Sequence, residues 1–156
     1  MFKKSLTKEQ ALQKLKHYCG YQERCHSEVK EKLYNLGVSR KDHDETIAAL
    51  IEEGYLNEER FAIAFAGGKF RLKQWGRVKI KYELKQKQVS DYCIKKALKV
   101  IDEDAYQEVL NKLATEKYDL LKEEQYMIRK KKTMDYLFQK GYEHELVSNW
   151  FKNKPE

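Results

Sequence analysis

The feature that most constrains this chain is a pattern that occurs three times. Val29-Lys-Glu-Lys-Leu33-Tyr-Asn-Leu-Gly37-Val38, Ile80-Lys-Tyr-Glu-Leu84-Lys-Gln-Lys-Gln88-Val89 and Thr133-Met-Asp-Tyr-Leu137-Phe-Gln-Lys-Gly141-Tyr142 align at offsets of 51 and 53 residues. Each copy reads as an amphipathic helix ending where the backbone needs a positive φ, which glycine adopts at little steric cost. Gln88 holds that place in the second copy, so its helix must end under strain or in another way. A further helix follows each copy, starting near Ser39 and Ser90 as N-caps in the first two. It carries Ile47, Leu50 and Ile51, then Ile94, Leu98 and Ile101, then Val147, Trp150 and Phe151 at helical spacing. Another helix precedes each pair, with Ala11, Leu12, Leu15 and Cys19, then Phe61, Ala62, Phe65 and Ala66, then Val109, Leu110, Leu113 and Ala114 on its apolar face. The pattern predicts an all-α fold of three tandem three-helix repeats at residues 5–53, 54–102 and 103–152. A unit of this size buries only a small core, so the repeats are expected to stack into an elongated, curved array.

The rest of the composition agrees. The 156-residue chain has one proline, Pro155, so nothing before its tail carries the residue that most often breaks helices. No apolar run approaches the ~18 residues of a membrane span, and Met-Phe-Lys-Lys-Ser-Leu-Thr-Lys-Glu-Gln lacks the apolar stretch of a signal peptide, so a cytoplasmic protein is expected. Cys19, Cys25 and Cys93 form no C-x-x-C pair and suit reduced thiols. His17, Cys19, Cys25 and His26 are four potential zinc ligands, but His17 and Cys19 lie about 200° apart on a shared helix and Cys19 continues an apolar face. A core thiol among surface residues is expected there, and no metal.

The net charge of +7 is unevenly placed: residues 1–68 are neutral, 69–100 carry +9 and 101–156 carry −2. Lys69, Arg71, Lys73, Arg77, Lys79, Lys81, Lys85 and Lys87 are opposed within their stretch only by Glu83. Solvated helix faces mix signs, whereas this one does not, as expected of a ridge that meets a polyanion. Arg77, Lys81, Lys85 and Gln88 fall on one helical stripe, and if half the ridge met phosphate the log–log salt slope on single strands would be roughly −3. Arg129-Lys130-Lys131-Lys132 is a secondary basic patch, either a backbone contact or a solvated turn beside Glu123, Glu124 and Asp135. Trp75, next to the ridge, either stacks on a base or partner surface or packs on Phe70 and Leu72. Tyr34, Tyr82, Tyr136 and Tyr142 read as half-buried packing residues, Phe61 and Phe65 as core, and Arg60 as a cap for a carboxylate such as Glu53.

No enzyme chemistry is legible. Gly67-Gly68-Lys69-Phe70 lacks the earlier glycine and the following Ser or Thr of a phosphate loop, and the four histidines are scattered. Asp102-Glu103-Asp104 fits a helix N-terminus without a metal. No catalytic residue and no cofactor is expected.

Two stretches go beyond a generic helical repeat. Gly54-Tyr55-Leu56-Asn57-Glu58-Glu59-Arg60-Phe61-Ala62 and Gly76-Arg77-Val78-Lys79-Ile80-Lys81-Tyr82-Glu83-Leu84-Lys85-Gln86-Lys87 resemble, in order and spacing, the signatures of the RecX family, bacterial regulators of the RecA recombinase. The resemblance covers nearly the whole chain. It departs at Arg77, where the family commonly has proline, and at Gln88, where it commonly has glycine. It implies a monomer that binds the RecA filament in its helical groove, contacts single-stranded DNA weakly alone, inhibits ATPase and strand exchange, and so modulates DNA repair and recombination. On that reading Lys69, Arg71, Lys73, Trp75, Arg77, Lys79, Lys81, Lys85 and Lys87 meet DNA or the filament. The alternative is a helix-turn-helix module that reads a duplex groove without RecA, for which one recognition helix rather than three repeats would suffice.

Overall fold

The computed structural model describes residues 6–154; Ser5, the expected start of the first repeat, and Pro155 lie outside them. Among the described residues the fold is all-α, with no strand. The helices are α1 (Lys8–Tyr21), α2 (His26–Asn35), α3 (His43–Glu52), α4 (Glu58–Lys73), α5 (Arg77–Gln86), α6 (Asp91–Val100), α7 (Glu103–Leu120), α8 (Tyr126–Lys140) and α9 (His144–Asn153), with a 3-10 turn at Arg40–Asp42 ahead of α3. They fall into the three-helix sets expected from the repeat. By compactness, however, the chain divides into a first unit of residues up to Ala64 with Leu84–Lys96 and a second of Phe65–Glu83 with the residues from Ala97 on. The helices of the middle set are therefore apportioned between the two units.

The repeated helix ends alike in all three copies. In α2 the N–H groups of Gly37 and Val38 donate to the carbonyls of Tyr34 and Leu33 at 3.0 and 3.1 Å. In α5 those of Gln88 and Val89 donate to Lys85 and Leu84 at 2.9 and 3.1 Å, and in α8 those of Gly141 and Tyr142 donate to Phe138 and Leu137 at 3.0 and 3.1 Å. This turn satisfies two carbonyls the helix leaves unpaired and needs a left-handed residue after the last turn. Gly37, Gln88 and Gly141 supply it with φ of 76°, 63° and 98°. Gln88 thus takes the glycine conformation rather than ending its helix differently. Leu33, Leu84 and Leu137 are fully buried, and Val38, Val89 and Tyr142, just past each turn, are buried with them.

In the first unit, Ala11, Leu15 and Cys19 of α1 pack with Val29, Leu33, Val38, Ile47, Leu50 and Leu56. The Gly54–Ala62 stretch is a helix-to-helix corner. Gly54 (φ 79°) ends α3, Asn57 Oδ1 accepts the Arg60 N–H at 2.9 Å at the start of α4, and Phe61 and Ala62 enter the core. The Arg60 side chain clamps this corner, donating from Nη2 to the Gly54 carbonyl at 3.0 Å and from Nε to Glu23 Oε1 at 2.6 Å. Glu53, the expected carboxylate, pairs instead with Lys16 at 3.1 Å. Ser90 caps α6 by accepting the Cys93 N–H at 3.3 Å, whereas Ser39 precedes the 3-10 turn and makes no side-chain cap bond.

In the second unit, Phe70 packs 5.7 Å from Tyr106, and Tyr106 lies 5.2 Å from Tyr142, centroid to centroid. Leu110, Leu113, Ala114, Leu137 and Val147 are buried with them. Asp102 caps α7 by accepting the Ala105 N–H at 2.9 Å, the role expected of that acidic cluster. Where α5 begins and α8 ends, backbone meets backbone: the Gly76 N–H donates to the Lys140 carbonyl at 2.7 Å and the Val78 N–H to the Gly141 carbonyl at 2.9 Å. The orphan donors of one helix are satisfied by the orphan acceptors of another.

Candidate functional site

The second unit gathers six of the expected ridge residues on the last turns of α4, the loop after it and the first turns of α5. Trp75 is half-buried there, edge-on to Phe65 at 6.3 Å, with Lys69 Nζ 5.0 Å and Lys79 Nζ 4.7 Å from its ring centroid. An ammonium over an indole face is held by the ring quadrupole while its remaining donors stay open. Trp75 does not pack on Phe70 and Leu72: Phe70 turns into the core and Leu72 is 83% exposed. Arg71, Lys73 and Lys81 are exposed. Among the described residues, no carboxylate pairs with Lys69, Arg71, Lys73, Lys79 or Lys81. Lys69 and Lys79 thus lie against one aromatic ring as unneutralised cations, with Arg71, Lys73 and Lys81 exposed on the adjoining turns of α4 and α5.

Arg77 differs from the rest. Its Nη1 donates to Glu143 Oε2 at 2.7 Å, its Nη2 pairs with Glu103, and its guanidinium lies 3.8 Å over the Tyr106 ring. Its backbone N–H donates to the Tyr106 hydroxyl at 2.9 Å, and that hydroxyl donates to Glu143. Burial is the largest influence and opposes the Arg77 charge, but the Glu143 hydrogen bond together with the charges of Glu143 and Glu103 and the Tyr106 phenol outweighs it and holds the pKa above the usual arginine range. Burial first, then the Glu143 bond, push the Tyr106 phenol far up. With both arms committed to carboxylates, Arg77 fastens the start of α5 to α7 and the α8–α9 turn and is not an open phosphate ligand.

The remaining expected residues are separate. In the first unit Lys85 and Lys87 face Asp91 and Glu28 at 3.8 and 3.9 Å, with the Lys85–Asp91 pair open to solvent. Gln88 is exposed but is itself the left-handed residue, outside α5. The run Arg129-Lys130-Lys131-Lys132 is not a patch. Arg129 donates from Nε to the Tyr118 carbonyl at 2.8 Å, Lys130 lies 5.6 Å over Phe151, Lys131 pairs with Asp135 at 2.9 Å, and Lys132 pairs with Glu124 at 2.8 Å. Consecutive helical residues diverge by about 100°, so four in a row point four ways.

Other expectations shift in the same manner. Tyr142 is buried and Tyr136 half-buried, but Tyr34 and Tyr82 are 76% and 60% exposed; Phe61 is buried, whereas Phe65 is half-buried beside Trp75. Cys19 and Cys25 are core thiols whose pKa burial raises, and no group of three His, Cys, Asp or Glu side chains among the described residues is arranged to hold a metal ion. No helix among them is long and apolar enough to cross a membrane. Sequence reasoning missed the roles of Tyr106, Glu103 and Glu143. The one local signal was Gly76 without a following proline, which leaves the Arg77 N–H free to reach Tyr106.

Two family descriptions match the chain: the second three-helix domain of RecX over residues 57–98 and the third over residues 103–151. "Regulatory protein RecX" of Clostridium tetani is 35% identical over 124 residues, 78% of this chain and 56% of that relative. The protein of the same name from Prosthecochloris aestuarii is 33% identical over 141 residues, 88% of each chain. The chain thus spans little more than half of the clostridial relatives and most of the other. The crystal structure of RecX from Lactobacillus salivarius superposes with a TM-score of 0.85 over 93% of this chain and 94% of that one at 21% identity, a likeness of fold.

Proposed function

This chain belongs to the RecX family of regulatory proteins, and on that premise we propose that it binds the RecA–single-stranded DNA filament in its helical groove and inhibits the recombinase. The observation that carries the reading is Trp75 with Lys69 and Lys79 over its ring and with Arg71, Lys73 and Lys81 exposed on the adjoining turns of α4 and α5, none with a carboxylate partner among the described residues. Unpaired cations with an aromatic ring among them suit a phosphate backbone with accessible bases better than a neutral protein surface. Lys85 adds exposed charge, while Arg77 holds α5 in place. The protein acts as a monomer, and its repeats at 5–53, 54–102 and 103–152 divide the work, the middle one meeting the polyanion and the near-neutral flanking ones touching protein. Regulation follows by occupancy: a protein seated along the groove hinders ATP hydrolysis and strand exchange and favours filament disassembly.

The test assembles RecA from the same organism on single-stranded DNA and follows ATP hydrolysis as this protein is added below stoichiometry. Inhibition that weakens steeply with salt is expected; no inhibition at any salt concentration would sink the reading.

A further inference from the structure

The neutral charge count of residues 1–68 conceals a second basic site. In the first unit Lys8 pairs with Glu45, Lys16 with Glu53 and Arg60 with Glu23, so several carboxylates are already engaged. What remains is a groove of about 510 Å³ on the outer side of α1 and α2, whose lining includes Lys14, His17, Tyr18, Tyr21, Arg24 and Lys32 and no acidic residue. Among the described residues no carboxylate pairs with Lys14, Arg24 or Lys32.

The geometry is prepared rather than merely charged. Arg24 donates from Nε to the Tyr18 carbonyl at 3.2 Å and has its guanidinium carbon 3.7 Å from the Tyr18 ring centroid, which holds the group at two points and leaves its two terminal nitrogens without a partner among the described residues. Lys32 Nζ stands 5.3 Å from the same ring. Tyr21, one turn on, is 79% exposed. The same device occurs in the second unit, where Arg129 donates to the Tyr118 carbonyl at 2.8 Å and lies 3.5 Å over that ring. There Tyr118 is buried against Trp150 and Phe151, so the arginine serves as a helix C-terminal cap. In the first unit the cap is left open, with cations and an exposed phenol around it. A fixed guanidinium fork suits phosphate oxygens, and an exposed phenol ring suits the face of a base.

We infer that this groove is a second nucleic-acid contact, taking a short stretch of single strand with its phosphates on Arg24, Lys14 and Lys32 and a base on Tyr21. The inference rests on the same polyanionic partner as the reading above and changes its division of work, giving the first repeat a nucleic-acid contact of its own. Full-length protein is titrated with labelled oligothymidylate at several salt concentrations, with polyphosphate and polyglutamate as competitors. Lys14→Glu with Lys32→Glu is expected to weaken binding about tenfold and to reduce the log–log salt slope by roughly 1.4, from about 0.7 per contact. Tyr21→Ala is expected to weaken oligothymidylate binding and leave competition by polyphosphate unchanged. The milder pair Lys14→Gln with Lys32→Gln replaces the first variant if its helical signal falls. Parent-like binding by all folded variants overturns the inference, as does a change confined to polyglutamate, which would assign the groove to an acidic protein segment. Failure of the parent to bind oligothymidylate even at low salt overturns it too. The variant Lys69→Glu, Lys79→Glu, Lys81→Glu, run in parallel, separates the two sites: loss there with none in the groove variants overturns the groove and leaves the ridge standing.

Discussion

Gly76 and Gly141 lie backbone against backbone, so close that a Cβ on Gly76 would overlap the Gly141 carbonyl and one on Gly141 would overlap Lys79. Of the two, only Gly141 has a positive φ, so Gly76 is required by space and not by conformation. Gly76→Ala is expected to destabilise the protein by about 1–3 kcal/mol, because the obstacle is backbone that cannot rotate away. Chemical unfolding of the variant checks this, and a parent-like midpoint would show that the contact yields.

Gln88 pays for a left-handed turn that its counterparts Gly37 and Gly141 make freely. Gln88→Gly is expected to raise stability by about 1 kcal/mol, less the extra freedom that glycine gives the unfolded chain. The readout is an upward shift of the urea midpoint at unchanged m-value.

Arg77 was legible as a basic residue on the right helix, yet its partners Glu103 and Glu143 are 26 and 66 residues away. A count of local charge cannot see pairs closed only by folding. The helical periods, by contrast, depend on neighbours within a turn or two, which is why Leu33, Leu84 and Leu137 could be placed before the structure. The Arg129–Lys132 run failed for the opposite reason: neighbours in sequence are not neighbours on a helix surface. Arg77→Ala is expected to cost about 2 kcal/mol of stability, since it removes charge-assisted bonds and strands Glu143 beside Tyr106. A variant that folds as stably as its parent would return Arg77 to the set of open cations.

Stability is expected to fall in alkali. Burial raises the thiols of Cys19 and Cys25, and burial with the Glu143 bond raises the phenol of Tyr106, while burial raises that of Tyr142. Each group is neutral in the folded protein and ionises more readily in the unfolded chain. The stability it contributes is complete below its unfolded pKa and is lost above it, by up to about 1.4 kcal/mol per pH unit for each group. Urea midpoints are expected to hold to about pH 8, decline through pH 9 to 11, and decline less steeply in Tyr106→Phe.

On the reading proposed above, RecA is regulated through Trp75, Lys69 and Lys79 and the exposed cations on the adjoining turns of α4 and α5. The most direct measurement is RecA ATP hydrolysis on single-stranded DNA in the presence of Lys69→Glu, Lys79→Glu, Lys81→Glu protein, compared with the parent at the same substoichiometric amount and with Arg77 left intact. The variant is expected to keep its helical signal and lose the inhibition. A variant that inhibits as strongly as its parent would contradict that reading.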